Sequence, residues 1–345
     1  MNEAVEYCTG NEWQKNRYSY MASWNEENGI QSFGRAKKNG SIYKHIIDLS
    51  KVSETYNLLN SSKIRDEVYS RFETKAGDLN RVLTNTVASQ PCCFNLFAPL
   101  KFSSKMELAS DLFSHLLGKE ALVTDIHIEF TPTTSESIGD QSTNGGTDAD
   151  VAVEYTCMDG AKGIVLIEFK YIENEFSVCS SYRKKLNIRK FCDSKQFHCD
   201  KFQIKPSNIP KNPDCGYLKY HNWQLTEKSE VFDLTAIRKL SSCPYRFSLN
   251  QLWRNMLLAE KVSFVRDLDE FHFWILYPAQ NTYLMNDNNQ SVETLFRDIL
   301  TQQGKDCFKL LHLDSEFVQP LELLAKNEEN IDLLKAFRQK YLLGV

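Results

Sequence analysis

Two short apolar segments with charged residues at their adjoining ends most constrain how this chain can fold. The first begins at Asp150 and continues as Val151-Ala152-Val153, and the second ends in Glu168-Phe169-Lys170. Side chains alternate faces along a strand, so Glu168 and Lys170 share one face. The intervening Asp159-Gly160 is a strong hairpin signal, which predicts that the two segments pair. Because unpaired charge is costly to bury, charged groups at the ends of apolar strands indicate a functional site.

The residue types at this site predict the binding of a hard cation. Two carboxylates can hold Mg²⁺ through oxygen, and a nearby ammonium group can orient or help deprotonate water. Asp150 is the preferred first ligand because it adjoins the apolar run, and Asp148 is the second choice because it points the same way if the strand extends backwards. We therefore predict a Mg²⁺ site at Asp150 and Glu168, with Mn²⁺ as a substitute and Lys170 beside it.

An aspartate that opens one strand and a Glu-x-Lys on the next resemble the PD-(D/E)XK nuclease superfamily, and more narrowly its restriction-endonuclease-like branch. The segment Ser89-Gln90-Pro91-Cys92-Cys93-Phe94-Asn95-Leu96-Phe97 matches a further part of that branch, and Gln251-Leu252-Trp253-Arg254 matches its Gln-Leu-Trp-Arg helix. The resemblance covers roughly residues 60 to 278. It implies phosphodiester hydrolysis that depends on Mg²⁺, with DNA favoured over RNA. It also implies catalytic roles for Asp150, Glu168 and Lys170, supported by Gln251.

The order of the predicted elements agrees with the resemblance. Periodicity predicts helix, three strands, an insertion, a helix and a strand, which is the α-β-β-β-α-β order of a restriction-endonuclease-like fold. We expect an α/β protein with this mixed sheet flanked by helices. An N-terminal extension is expected over residues 1–60 and a nuclease-like domain over 61–290, with a basic insertion at 172–230. A helical C-terminal segment over 291–345 is expected to pack on the core.

Three features outside the two strands have an interpretation that connects them with the site. Ser104 and Glu107 have the spacing of a capping box, whereas the resemblance suggests Glu107 as a further metal ligand. Glu129, at the end of a predicted strand, could also face the site. The apolar run from Cys92 to Phe97 is either a buried connector or a neighbour of the active site, and the two are compatible.

Basic residues gather directly after the Glu-x-Lys strand, interleaved with aromatic residues. Cations can neutralise phosphates and aromatic rings can stack on bases, although charge runs are often solvated surface. The predicted nucleic-acid-binding residues are Arg183, Lys184, Lys185, Arg189, Lys190 and Arg254. The plain alternative for Arg254 is a pair with a nearby acid. A smaller basic cluster, Arg35, Lys37 and Lys38, lies in an extension that we expect to pack its aromatic residues on the domain rather than to contact DNA.

Composition and missing motifs narrow the range of functional classes further. The net charge of −4 excludes a globally basic surface, so a nucleic-acid interface must be a local patch. No signal peptide or membrane-spanning run is visible, so we expect a cytoplasmic protein with reduced thiols. A structural zinc is an alternative to free thiols at Cys192, His198, Cys199, Cys215 and His221. The phosphate-binding loop of ATPases, the Gly-x-Ser-x-Gly elbow and the His-Glu-x-x-His zinc helix do not occur.

These observations favour a metal-dependent endonuclease, with a restriction or defence role by family association. One alternative is a nucleic-acid-binding module of the same fold without efficient cleavage. Another is a nuclease subunit that is active only with a partner. Double-strand cleavage would favour a two-fold homodimer, because one site would face each strand.

Overall fold

The computed structural model describes residues 4–53, 55–59, 62–74, 78–102, 106–140, 146–184, 222–240, 243–246 and 248–343. The α-helices in these ranges are α1 (Glu12–Glu27), α2 (Ser62–Thr74), α3 (Leu79–Thr84), α4 (Ser89–Phe102), α5 (Glu107–Leu117), α6 (Ser180–Lys184), α7 (Asn222–Lys228), α8 (Leu234–Lys239), α9 (Leu249–Arg266), α10 (Val292–Arg297), α11 (Gln302–Cys307), α12 (Gln319–Leu324) and α13 (Glu328–Phe337). The strands are β1 (Phe33–Arg35), β2 (Ile42–Ile47), β3 (Ala121–Phe130), β4 (Ala149–Cys157), β5 (Lys162–Phe169), β6 (Glu270–Tyr277), β7 (Asn286–Asp287), β8 (Gln290–Ser291) and β9 (Phe308–His312). A 3-10 turn and two π-helical turns occupy Pro244–Arg246, Leu313–Val318 and Arg338–Leu342.

A mixed sheet of five strands forms the centre, in the order β3-β4-β5-β6-β9. The first three strands form an antiparallel meander, β6 lies parallel to β5, and β9 lies parallel to β6. Helices pack on both faces. The predicted α/β architecture with an α-β-β-β-α-β core is therefore confirmed.

The predicted hairpin joins β4 to β5. Gly160 adopts a φ of +90°, which a residue without a Cβ adopts readily, and the Asp159 carboxylate accepts a hydrogen bond from the Ala161 amide at 3.0 Å. The Cys157 amide donates to the Ala161 carbonyl at 2.7 Å. This tight turn fixes the register of the two strands, and the register sets which side chains meet at their other end.

The two faces of the sheet bury two separate apolar clusters. Along β5, Val165, Ile167 and Phe169 belong to the cluster that includes α4 and α5, whereas Ile164 and Leu166 belong to the cluster that includes α9. This alternation places Glu168 on the α9 side, because it has the same parity as Leu166. The pleat of β5 therefore directs its one carboxylate toward α9.

The N-terminal extension contains more regular structure than its sequence predicted. Residues 1–60 show no clear helical periodicity, but α1 is a 16-residue helix with an Asn11–Gln14 capping box. Its buried face includes polar side chains, Arg17 and Asn25, beside Trp13 and Met21. A mixed face of this kind gives no apolar periodicity, which is why the pattern did not reveal the helix.

Two other segments differ in detail from the predicted elements. The segment after Ser89 is the buried helix α4, which tolerates Pro91 in its first turn because backbone amides there have no intrahelical partner. The C-terminal segment is not purely helical, since β9 adds the fifth strand. The helix α5 begins at Glu107 with Met106 as its N-cap and without a side-chain cap hydrogen bond, and Ser104 of the predicted capping box lies outside the described residues. None of the described helices has the length and apolarity needed to cross a membrane.

Candidate active site

Asp150 and Glu168 meet where β4 begins and β5 ends. The register pairs Val151 with Ile167, so the next pair outward is Asp150 and Glu168. One Asp150 carboxylate oxygen accepts a hydrogen bond from the Phe169 amide at 2.7 Å. The hairpin therefore brings together two carboxylates that are 18 positions apart in the chain.

The Glu168 carboxylate is buried and held by three side chains. Its Oε1 lies 2.5 Å from the Lys170 ammonium and accepts a hydrogen bond from the Gln251 amide at 2.6 Å. Its Oε2 accepts a hydrogen bond from the Asn255 amide at 2.5 Å. Gln251 and Asn255 are four residues apart on α9, so they project from the same face of that helix. Only 3% of Glu168 is exposed, and the three partners supply the hydrogen bonds that a buried carboxylate requires.

Glu129 brings a third carboxylate to the same place. The register that pairs Ile128 with Val151 and Phe130 with Ala149 sets Glu129 opposite Asp150. Its φ of 57° lies in the left-handed region, which non-glycine residues rarely adopt and which occurs often at functional sites.

Helix α4 and helix α2 hold Glu129 in this position. The Gln90 side chain hydrogen-bonds the Glu129 carboxylate, and the Arg71 guanidinium donates to the Glu129 carbonyl at 2.9 Å. Gln90 belongs to the Ser89–Phe97 segment, so the expectation that this segment approaches the site agrees with its position.

The pKa values of the charged side chains at this site reflect the crowding of negative charge. Burial, and then the charge of Glu168, raise the pKa of Asp150 well above its usual range against the opposing effect of Lys170. Burial likewise raises the pKa of Glu129, although Gln90 and Arg71 oppose it. Burial lowers the pKa of Lys170, but the carboxylates of Glu168 and Asp150 outweigh it and raise that pKa overall. Lys170 is therefore an ammonium hydrogen-bond donor in this arrangement.

A cavity of about 270 Å³ opens over these groups. Its lining includes the carboxylates of Glu129, Asp148, Asp150 and Glu168. Asp148 is exposed, so it stands at the opening of the cavity. Among the described residues, no three histidine, cysteine or acidic side chains already converge as a metal-binding group.

The donor chemistry nevertheless fits a hard divalent cation. The acidic lining offers oxygen only, which suits Mg²⁺ or Mn²⁺. Burial and mutual repulsion raise the pKa of Asp150 and Glu129, and additional positive charge would relieve that repulsion. Asp150 and Glu168 would hold the ion, with Glu129 as the third carboxylate within reach of the cavity.

Arg254 lines the cavity but is engaged by an acid. Its Nη2 lies 2.8 Å from the Asp140 carboxylate, and its Nε donates to the Thr147 hydroxyl at 2.8 Å. Asp140 also accepts a hydrogen bond from the Thr147 amide at 3.1 Å. Arg254 thus ties the two ends of the loop that precedes Asp150. The pair with Asp140 is the acid partner that was predicted as the alternative role of Arg254. A contact between Arg254 and phosphate stays a prediction.

The remaining predicted residues lie elsewhere or beyond the described ranges. Glu107 lines a separate small cavity with Asp111 and Lys326, so the structure does not bring it to Asp150 and Glu168. Arg183, on α6, is exposed and pairs with Glu175. The Lys184 side chain, Lys185, Arg189 and Lys190 lie outside the described residues, as do the five cysteines and histidines considered for zinc.

Several residues of the site were not singled out from the sequence. Asn255 follows Gln251 by four positions, so helical spacing on α9 could have indicated it. Gln90 was part of a matched segment, but no spacing rule connects it to Glu129. Asp140 is distant in sequence from Arg254, and only the fold joins them.

The fold and the site define a restriction-endonuclease-like α/β protein with a carboxylate and lysine centre. A family model described as the PD-(D/E)XK nuclease superfamily matches residues 11–343, nearly the whole chain, so the chain belongs to this superfamily. Nucleases of this superfamily act on nucleic acids and generally use divalent metals such as Mg²⁺. Comparisons with curated proteins and with solved structures gave no significant match.

Proposed function

We propose that this chain is a divalent-metal-dependent endonuclease that hydrolyses phosphodiester bonds, with DNA favoured over RNA. The arrangement of Asp150, Glu168 and Lys170 carries the proposal. The two carboxylates face each other at adjacent strand ends, and the Lys170 ammonium lies 2.5 Å from Glu168 Oε1. Asp150 and Glu168 line the cavity and Lys170 lies buried beside Glu168, and a cluster of buried charges with perturbed pKa values is typical of a functional site.

Each residue has a distinct role in the proposed reaction. Bound Mg²⁺ supplies a Lewis acid that neutralises charge on phosphate oxygens. Asp150 and Glu168 would hold it, and Gln251 and Asn255 would keep the Glu168 carboxylate oriented toward the cavity. The Lys170 ammonium would donate a hydrogen bond to the attacking water or to a phosphate oxygen, which places negative charge beside a fixed cation.

The nucleic-acid interface is proposed to include Arg254 at the cavity and the basic insertion that contains Arg183, Lys184, Lys185, Arg189 and Lys190. Cations at these positions would neutralise phosphates on either side of the scissile bond. A restriction or defence role follows from family association alone. If both strands of a duplex are cut, a two-fold homodimer would place one site on each strand.

Cleavage assays with matched variants test the proposal. Supercoiled plasmid, linear duplex, single-stranded DNA and RNA are incubated with the protein in Mg²⁺, Mn²⁺ or EDTA. The site variants are Asp150→Asn and Lys170→Met. Their controls are Asp332→Asn and Lys335→Met, since those two side chains are 76% and 68% exposed on α13.

We expect cleavage that requires the metal, disappears in both site variants and persists in both controls. Equal cleavage by wild type and Asp150→Asn would contradict the proposal. If nothing is cut but nucleic acid binds without metal, the chain is a binding module of this fold. Cleavage that appears only after cell extract is added would identify a subunit that needs a partner.

A further inference from the structure

A second cavity lies on the N-terminal part of the chain, away from the carboxylate centre. Its volume is about 510 Å³, compared with about 270 Å³ for the candidate active site. The hairpin of β1 and β2 forms one side and the helix α3 forms the other. Its lining combines aromatic rings with cations, and the roles proposed above make no use of it.

Tyrosine rings form one wall. Tyr7, Tyr18 and Tyr43 surround His45, and the ring centroids of Tyr7 lie 4.6 Å from Tyr18 and 5.1 Å from Tyr43. Tyr43 stacks on His45 at 5.4 Å with an interplanar angle of 22°. The tyrosines are half-buried, so their rings are packed in place while part of each faces the cavity. Rings fixed in this way can stack on a nucleobase of any sequence.

Cations form the rim. The charged lining residues are Arg35, Lys37, Lys38, Arg81 and Asp78. Four cations and one carboxylate give a local charge of +3, in a chain whose net charge is −4. Burial lowers the pKa of His45 to about 4, so this ring adds no charge at neutral pH. Lys37 pairs with Asp78 at 2.6 Å, so the excess positive charge comes from Arg35, Lys38 and Arg81. A concave positive surface of this kind attracts phosphate.

The carboxylate of Glu173 affects both a tyrosine of this cavity and Lys170. Burial is the main cause that raises the pKa of Tyr18 to about 12, and the carboxylate of Glu173 adds to it. The same carboxylate is among the charges that raise the pKa of Lys170. Glu173 also accepts a hydrogen bond from the Tyr171 amide at 3.1 Å, directly after Lys170. Glu173 therefore interacts with Tyr18 at this cavity and with Lys170 beside the candidate active site.

We propose that this cavity binds a nucleotide, with the base against the tyrosine rings and the phosphate near Arg35 and Arg81. The nucleotide has two sources: a free nucleoside phosphate, or one unit of a nucleic-acid strand. The second source rests on the proposed nuclease function, and the first does not.

Binding is measured on the full chain in EDTA, so that no cleavage occurs. Calorimetry with AMP and with inorganic phosphate tests the free nucleotide. Fluorescence anisotropy with a 5′-phosphorylated single-stranded oligonucleotide tests the strand. The cavity variants are Arg81→Glu and Tyr43→Ser. The matched control for the first is Arg65→Glu, an arginine of α2 whose side chain is 46% exposed, and the control for the second is Tyr43→Phe, which keeps the ring.

We expect Arg81→Glu to weaken binding at least tenfold and Tyr43→Ser at least fivefold, whereas both controls stay within twofold of wild type. Binding of AMP that follows this pattern identifies a free nucleotide as ligand. Binding of the oligonucleotide alone, with the same pattern, identifies the strand. If Tyr43→Ser shows no thermal unfolding transition, the comparison of Arg81→Glu with Arg65→Glu still tests the proposal.

Two results would overturn the inference. One is a wild type that binds neither AMP nor the oligonucleotide. The other is binding that the cavity variants leave within twofold of wild type. Neither result bears on cleavage, which is measured separately with the Asp150 and Lys170 variants, so failure here and failure of the nuclease proposal are distinguishable.

Discussion

Lys170 and Glu168 form a buried ion pair at the carboxyl end of β5, the central strand of the sheet, with Nζ 2.5 Å from Oε1. Their side chains are 11% and 4% exposed, so water screens the pair little. The same carboxylate accepts hydrogen bonds from Gln251 and Asn255. The candidate site is therefore also a structural junction between β5 and α9, and its variants should alter stability as well as activity.

Breaking this pair should destabilise the fold. Removing one partner of a buried ion pair leaves an uncompensated charge, so Lys170→Met should lower the free energy of unfolding by about 3 kcal/mol. The double variant Lys170→Met/Glu168→Gln should lose less than the sum of the two single variants, because it removes both charges. Urea unfolding of the four proteins in EDTA measures this coupling. Additive losses would show that the two side chains do not interact.

A divalent cation should stabilise the folded chain. A ligand that binds only the native state at a hundred times its dissociation constant adds about 2.7 kcal/mol. We expect Mn²⁺ to raise the thermal unfolding temperature of wild type and of Asp332→Asn, but not that of Asp150→Asn. An equal rise in all three proteins would place the binding site elsewhere.

The contributions of Glu129 and Glu107 to metal binding can be compared directly, because each is a carboxylate outside the Asp150–Glu168 pair. Glu129 lines the acidic cavity, whereas Glu107 lines a different one. We expect Glu129→Gln to weaken Mn²⁺ binding about tenfold or more, as removal of a supporting carboxylate typically does. Glu107→Gln should bind Mn²⁺ as wild type does. Calorimetric titration of both variants distinguishes them, and the opposite ranking would restore Glu107 as the third carboxylate.

The amides of α9 should act through Glu168. Losing a hydrogen bond to a ligating carboxylate typically costs about 10–100-fold in metal affinity or activity, and we expect this of Gln251→Leu and Asn255→Leu. Lys261→Leu, on the same helix but with its ammonium 5.5 Å from the Phe264 ring centroid, is the control. The measurement is Mn²⁺ affinity together with cleavage rate. If Gln251→Leu and Asn255→Leu both bind Mn²⁺ as wild type does, these amides do not position Glu168.

Lys340 should make stability depend on pH. It is fully buried, and its ammonium lies 2.8 Å from Asn57 Oδ1, with no acid among its hydrogen-bond acceptors in the described structure. Burial lowers its pKa from 10.5 to about 7. Between these values the unfolded chain binds more protons, so the Lys340 contribution to stability rises with pH from about 7 to 10.5.

The slope should approach about 1.4 kcal/mol per pH unit within that window. Lys340→Met should remove this contribution, and Lys335→Met, whose side chain is exposed, should keep it. Urea unfolding at several pH values measures the slope. Parallel curves for wild type and Lys340→Met would show that Lys340 keeps an ordinary pKa when folded.

Strand periodicity and turn chemistry predicted the centre of the fold well. The strand predicted to end near Glu129 is β3, whose last residue is Phe130, and Asp159-Gly160 forms the expected turn. These signals are local, because alternation and a left-handed glycine act within a few residues. The short strand Phe308–His312 was missed because five residues carry too little alternation to distinguish a strand from a helix.

Spacing alone predicts the candidate site only as far as its residues are near in sequence, whereas Gln251, 83 positions from Glu168, was predicted from the family resemblance. Asp150, Glu168 and Lys170 lie on one hairpin, so pattern alone brings them together. Glu129 reaches them through the β3–β4 register, and Gln90 reaches Glu129 through the packing of α4, a helix that its two prolines concealed. Contacts of this kind depend on tertiary structure, which no spacing in the sequence specifies.

Tyr171, the residue after Lys170, is held by both extremities of the described chain. Its carbonyl accepts a hydrogen bond from the Trp13 indole at 2.9 Å, and its hydroxyl donates to the Tyr341 carbonyl at 3.0 Å. Tyr341 is synthesised 170 residues later than Tyr171. A nascent chain on the ribosome therefore lacks one support of the Lys170 segment until translation passes Tyr341. Both supports of the segment that carries the proposed catalytic lysine would therefore be present only once Tyr341 has left the ribosome.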